Sequence, residues 1–361
     1  MTDMTDWIFS GSYDPTDVQL LLKPVKLAVT DPEVRERLIQ SGAQHYSETL
    51  APETMPSDVY FRLYQSLLAR HAPRLGADVA HLAAALDRRA APAREIVLAS
   101  FVRAGLPIGV LLLRALRRLG RRASHYGVSI IRDRGVDARA MAWIAARHDP
   151  ADVVFVDGWT GKGAIASELR ACTTLQGADP FLTVVADPAG VADLAATGDD
   201  YAIPSGILNA TVSGLVSRTI LNEKVVGPGD FHACVWHGHL AAVDQSRAFI
   251  DTVEASSPPT GYRADWTLEG CQALAARSRD IIARVLKQSG TRDTNRIKPG
   301  IAEATRAVLR RLPEAILIRD PADEDVAHLV ELARQTGVEI LALSEDNPYR
   351  AITVIRTLGA D

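Results

Sequence analysis

Cysteine is scarce in this chain: its 361 residues hold three, Cys172, Cys234 and Cys271, far apart and without C-x-x-C spacing. A disulfide framework is excluded on that count, and the pattern predicts reduced thiols in a cytoplasmic protein. Charge excess is missing too. Forty Lys and Arg face 44 Asp and Glu for a net −4, so any polyanion site has to be a local patch. No apolar run is long enough for a bilayer, the longest being Leu106 to Leu113, and the opening MTDMTDWIFSGSYDP carries acids where a signal peptide needs basic residues. Internal repeats and low-complexity runs are absent. What remains, 47% hydrophobic and 23% charged residues over this length, is the profile of a globular protein of two or three domains.

From about residue 94 the chain falls into strand-then-helix units: EIVLASF then PIGVLLLRALRRLG, HYGVSII then VDARAMAWIAARH, DVVFVD then GAIASELRACTTL, and FLTVVAD before a Gly/Pro turn. Short Val/Ile runs alternating with helical apolar spacing predict a doubly wound parallel α/β sheet, on which ligands sit at the carboxyl ends of the strands. Residues 1–90 read as a helical N-terminal extension through DPTDVQLLLKPV, DPEVRERLIQSGA and the long SDVYFRLYQ segment. Residues 91–256 then form the sheet domain, and 257–297, opening SSPPTGYRAD, form a linker and one helix. Residues 298–361 form a small α/β unit reading helix, strand, helix, strand.

The sharpest motif is V-V-F-V-D-G-W-T-G-K-G-A-I at 153 to 165, an apolar strand ending in Asp157 and turning through Thr160, Gly161, Lys162 and Gly163 into a helix. Backbone N–H groups at a helix start, with glycines that let an anion approach, are what a phosphate needs. A nucleoside-triphosphate loop would require Gly where Val156 stands and Ser or Thr where Gly163 stands, which excludes an ATPase. Arg103, Ala104 and Gly105 follow the first strand, and Arg132 and Arg134 follow the second, where they suit either a polyanion or a solvated surface. Between Arg103 and Arg139 nine Arg face two Asp. Of these, Arg114, Arg117, Arg118, Arg121 and Arg122 read as a solvated helix face and end.

The run Ser205, Asn209, Thr211, Ser213, Ser217 and Arg218 is rich in hydrogen-bonding groups, fit for an acceptor pocket or a polar helix face. Cys234, with His232, His237 and His239, has the residue types of a Cys–His pair or a metal site, but the spacing matches no standard ligand motif and a buried strand cysteine is the commoner case.

The T-G-x-G loop behind a strand-end acid resembles the phosphoribosyl-pyrophosphate loop of type I phosphoribosyltransferases. That resemblance implies 5-phosphate binding by Thr160 to Gly163, ribose binding by Asp157, and pyrophosphate binding at Arg103, Ala104 and Gly105. It also implies magnesium bridging ligand oxygens beside Asp157, and neutralisation of the leaving group by Arg132 or Arg134. The family's acid pair is here Asp157 followed by Gly158, a single carboxylate.

With F-S-G-S-Y-D-P-T-D-V-Q-L-L-L-K-P, H-Y-S-E-T-L and I-P-S-G-I-L-N-A-T-V-S-G-L-V-S-R-T, the same loop resembles the phosphoribosyltransferase-like family of tellurite-resistance and stress gene clusters, also labelled the StiP cysteine protease family. Where that family often carries a cysteine, this chain has Ile207. The C-terminal unit resembles the Pelota-type RNA-binding domain through Lys298, Gly300, Glu303 and Arg306, with Ala302 in place of an Asn. Six basic residues against two acids from Arg292 to Arg311 suit phosphate contacts.

The expected activity is transfer of a ribosyl phosphate between phosphoribosyl pyrophosphate, or a nucleotide, and a nucleobase-like acceptor. A phosphoribosyl-sensing RNA-binding regulator and a thiol hydrolase are the alternatives. A regulator would bind the ligand without turnover, and a thiol hydrolase would depend on Cys234.

Overall fold

The computed structural model describes residues 7–258 and 266–358. The acidic opening at residues 1–6 and most of the SSPPTGYRAD linker lie outside the described residues.

At the centre is a six-stranded, wholly parallel sheet. Its strands are β1 (Gln19–Leu20), β2 (Ile96–Phe101), β3 (Ala123–Val128), β4 (Val153–Val156), β5 (Leu182–Ala186) and β6 (Leu194–Thr197), in the spatial order β1-β3-β2-β4-β5-β6. Strand alternation divides the core in two. Leu98, Val154 and Val156 face a cluster with the helices Asp58–Arg89 and Gly105–Arg118, while Val97, Ala99, Val153 and Phe155 face one with Ala138–Ala145 and Ala164–Ala171. The chain leaves β2 for β3 on one side and returns to β4 on the other, so a crevice opens where β2 and β4 end.

All four strands expected from the Val/Ile runs form. The short LAAT strand, β6, was not foreseen because small residues carry little of the β-branched signal. The N-terminal reading needs one correction: DPTDVQLLLKPV is extended rather than helical. Leu20, Leu21 and Leu22 are all buried, which needs partners on every side, and β1 supplies them as an edge strand beside β3. Residues 1–90 therefore contribute a strand to the sheet as well as two helices, Pro32–Gln40, capped by Asp31, and Asp58–Arg89, capped by Ser57.

The C-terminal unit has a four-stranded mixed sheet of β7 (Ile297–Pro299), β8 (Pro313–Ile318), β9 (Glu339–Ala342) and β10 (Ala351–Ile355), ordered β7-β10-β8-β9. Its interior strand β10, the β-branched run AITVI, was also not foreseen. The helix Leu268–Gln288 packs on one face through Ile281 and Val285. Helices Ile301–Arg310 and Ala327–Thr336 cover the other, and their apolar side chains belong to the same core cluster as the central domain's Tyr60, Leu75 and Ile207.

Candidate functional site

Asp157 stands just past the end of β4, its backbone N–H held by Thr183 O at 3.0 Å, and its Oδ1 accepts from Gly158 N at 2.8 Å. Thr160 N donates to Ala186 O, and its hydroxyl donates to the buried Asp187 at 2.5 Å, pinning the loop to β5. Gly163 has φ +86°, a left-handed conformation that favours glycine, and opens the helix Ala164–Ala171 without a side-chain cap. The N–H groups of Gly161, Lys162 and Gly163 meet no acceptor among the described residues. The eight-residue helix is thus uncapped and preceded by free amides, a geometry in which backbone N–H groups are available to an anion.

This loop forms one wall of a cavity of about 610 Å³ whose roof is the C-terminal unit. Tyr349 donates its hydroxyl to Gly161 O at 2.7 Å, Trp159 Nε1 reaches Glu303 at 3.4 Å, the Arg306 guanidinium lies 4.6 Å from the Trp159 ring centroid, and Lys162 donates to Thr294 O. Arg132 Nη1 meets Asn295 at 2.5 Å, and the Tyr46 ring stands beneath the guanidinium groups of Arg132 and Arg218. Eight cations line the cavity, Arg35, Arg132, Lys162, Arg218, Lys298, Arg306, Arg310 and Arg311, against the carboxylates of Asp157, Asp293 and Glu303.

Crowding and burial show in the titrations. Burial, then Arg132, holds Lys162 down to about 8. Burial, then Arg311 and Lys162, holds Lys298 down to about 7. Burial pushes Asp157 up to about 7 despite the Gly158 N–H and the charge of Arg306. A wall that weakens its own cations gains when a multiply charged anion enters.

The predicted residues are thus regrouped. Asp157, Thr160, Gly161, Lys162, Gly163, Arg132 and Arg218 line the cavity together with Lys298, Glu303 and Arg306, which the sequence suggested as an RNA face. In this arrangement the helix Ile301–Arg310 lines the same cavity as the T-G-K-G loop, and Arg306 is only 6% exposed. Gly300 faces Asp200, whose carboxylate accepts from Ile301 N and Arg350 N.

Several residues lie elsewhere. Arg103 does not line the cavity; it is buried in an ion pair with Glu53 at 3.0 Å and bonds to Asn209 and Val216 O. Gly105 packs so tightly on Val156 O that an added Cβ would lie 2.3 Å away, and Ala104 approaches Gly158. Arg134 pairs with Glu48 at the surface. Asn209 and Thr211 line a second, smaller cavity of about 110 Å³, while Ser205 and Ser213 are buried in the packing.

Arg35 and Tyr46 join the site from the N-terminal segment, and Arg310 and Arg311 from the roof. Tyr46, inside H-Y-S-E-T-L, and Arg310 and Arg311, inside the basic run from Arg292 to Arg311, carry a sequence signal; Arg35 does not.

The thiols lie apart. Cys234 is fully buried in the apolar core, which pushes its thiol up to about 12, and His232 bonds to Ser129 instead. Cys172 Sγ meets Val136 N and Thr174, and Cys271 is half-buried on the helix Leu268–Gln288. Among the described residues no thiol bonds to an imidazole, and no group of three or more His, Cys, Asp or Glu is placed to hold a metal. No described helix is long and apolar enough to cross a membrane.

Fold and site define an α/β protein with a parallel central sheet whose strand-end T-G-K-G loop is roofed by a C-terminal α/β unit. Residues 11–254 match the family model described as tellurite-like stress resistance cysteine protease StiP, and residues 276–357 match that of the PELOTA RNA binding domain. A relative from Acinetobacter baylyi named cysteine protease StiP is 42% identical, with 97% of this chain and 95% of the relative covered. The chain belongs to the StiP family, with a Pelota-type unit at its C-terminal end.

Among solved structures, a variant hypoxanthine phosphoribosyltransferase of Trypanosoma cruzi with its product IMP is 11% identical over 48% of this chain and 91% of its own, at a TM-score of 0.28. Another structure of that enzyme is 14% identical over 41% and 81%, at 0.25.

Proposed function

We propose that this protein is a phosphoribosyltransferase-type enzyme acting on phosphoribosyl pyrophosphate, or in reverse on a nucleotide, within a doubly wound sheet of the type I kind. The observation that carries this reading is the T-G-K-G loop, with unengaged amides at a helix start beside the crevice between β2 and β4, inside a cavity where eight cations outnumber three carboxylates. In this scheme the loop and Lys162 bind the 5-phosphate, and Asp157 takes the ribose hydroxyls. The C1–pyrophosphate bond breaks with its electron pair leaving on pyrophosphate, the acceptor nitrogen bonds to C1, and the acceptor's proton passes to solvent. The cavity's cations balance the charge that builds on the departing group.

Magnesium suits this donor set only as an ion carried in by the ligand. One carboxylate, Asp157, stands at the strand tip, and Mg²⁺ characteristically keeps substrate phosphates and water as its other ligands. When bound, the ion would neutralise diphosphate charge and favour the ionised form of Asp157, whose carboxyl burial otherwise pushes up to about 7.

The test is calorimetric titration of phosphoribosyl pyrophosphate with magnesium into the full chain and into Lys162→Ala, followed by measurement of pyrophosphate release with candidate bases. Binding lost in the variant supports the reading. No binding to folded wild type at millimolar ligand overturns it.

The names of the family model and of the Acinetobacter relative favour a second reading, a cysteine protease. That reading requires a thiolate beside a base. It predicts peptidase activity that iodoacetamide and one of Cys172→Ala, Cys234→Ala or Cys271→Ala abolish, while Lys162→Ala leaves it intact.

A further inference from the structure

The roof of the cavity holds charge that the protein itself leaves uncompensated. Lys298, Arg306 and Arg310 come from β7 and the helix Ile301–Arg310, and none forms an ion pair among the described residues. By contrast Arg311 is paired with Glu36, and Arg35 is bonded to Thr49 and to Arg310 O. Arg306 is more than nine-tenths buried, and its Nε meets no hydrogen-bond partner. Burying a guanidinium with an unmade bond is costly unless something supplies the acceptor. Burial first, and then the neighbouring arginines, holds Arg306 down to about 10 and Arg310 down to about 9.

The phosphate loop lines the same cavity and abuts this roof: a Cβ at Gly161 would lie 3.0 Å from Glu303 Cγ. The turn at Ala104 and Gly105, the pyrophosphate site that family resemblance would choose, is packed against β4, and Arg103 is already committed to Glu53.

We propose that the Pelota-type unit supplies the second anion subsite: Arg306, Arg310 and Lys298 bind one anionic group of a small ligand whose other phosphate lies on Thr160 to Gly163. The ligand class is a small molecule phosphorylated at two ends. The unit's basic helix then serves as the roof of a small-molecule site instead of a reader of RNA. This inference rests on the phosphate-loop reading above and deepens it.

The test uses the full-length protein and two probes, ribose 5-phosphate with one phosphate and phosphoribosyl pyrophosphate with anionic groups at both ends, titrated into wild type, Lys162→Ala, Arg306→Gln and Arg310→Gln. Each roof variant is expected to weaken phosphoribosyl pyrophosphate by about ten- to a hundredfold, the range for one lost charge-assisted contact. Ribose 5-phosphate should stay within about threefold of wild type, which also certifies that the variants fold. Lys162→Ala should weaken both probes.

If Arg306→Gln and Arg310→Gln weaken neither probe, or both equally, the roof subsite is wrong and the loop reading stands. Should wild type bind neither probe, the loop reading and this inference fall together. A short structured RNA that binds wild type and not Arg306→Gln, without any binding of phosphoribosyl pyrophosphate, would restore the RNA face and overturn the proposal.

Discussion

The bond between Tyr349 and Gly161 offers a direct measure of how firmly the C-terminal unit holds the T-G-K-G loop. Tyr349 is fully buried; its hydroxyl donates to Gly161 O at 2.7 Å and accepts from the buried Ser278 hydroxyl at 2.5 Å. Tyr349→Phe removes both bonds and leaves a carbonyl and a hydroxyl without this partner. At about 0.5–1.5 kcal/mol net per bond, the loss should be about 1–3 kcal/mol. Ser278→Ala removes only the second bond, for about 0.5–1.5 kcal/mol. In the double variant the serine has nothing left to lose, so its stability should match that of Tyr349→Phe, a coupling of about 1 kcal/mol. Urea denaturation of the four proteins, compared at constant m-value, reads this directly. A Tyr349→Phe protein within about 0.3 kcal/mol of wild type, or strictly additive variants, would refute the reasoning.

Four further outcomes are expected. Burial pushes both Asp157 and Asp200 up to about 7, so the folded chain keeps protons that the unfolded chain releases near pH 4. Their contribution is therefore fully present below about pH 4 and falls as pH rises to about 7, by up to about 1.4 kcal/mol per unit for each group; urea midpoints from pH 5 to 7.5 should show a shallower decline in Asp157→Asn. Gly163→Ala should cost about 1–2 kcal/mol in the same assay, because φ is +86° and the new Cβ would meet Val191 at 3.3 Å. Arg103→Ala should destabilise by about 3–5 kcal/mol by leaving the buried Glu53 unpaired, and a stable variant with lost pyrophosphate binding would instead return Arg103 to the ligand site. Under a brief iodoacetamide pulse on the native protein, mass spectrometry should find Cys271 modified and Cys234 untouched; rapid labelling of Cys234 would contradict its burial.

Local chemistry was legible in the sequence wherever a short segment carries its own reason. The Val/Ile runs became β2 to β5, the Asp31 and Ser57 caps started their helices, and T-G-K-G became an uncapped helix start with a left-handed glycine. These are consequences of backbone preference and apolar period, which act within a few residues. DPTDVQLLLKPV misled because three consecutive leucines satisfy a helix or a buried strand alike, and only the open edge of β3 decides between them.

Tertiary structure alone decided the site's composition. Sequence placed an anion loop at 160–163 and a basic helix at 301–310, nearly 140 residues apart, and assigned them to different ligands. Their convergence depends on a shared apolar core in which Ile301, Ala304 and Val308 join Ile207 and Leu75, an arrangement no local pattern encodes. The same packing took Arg103 out of the cavity by giving it Glu53, and brought Arg35 and Tyr46 in from a segment that read as a separate extension. Charge in a sequence names what a residue can bind; burial and the partners it finds decide what it does bind.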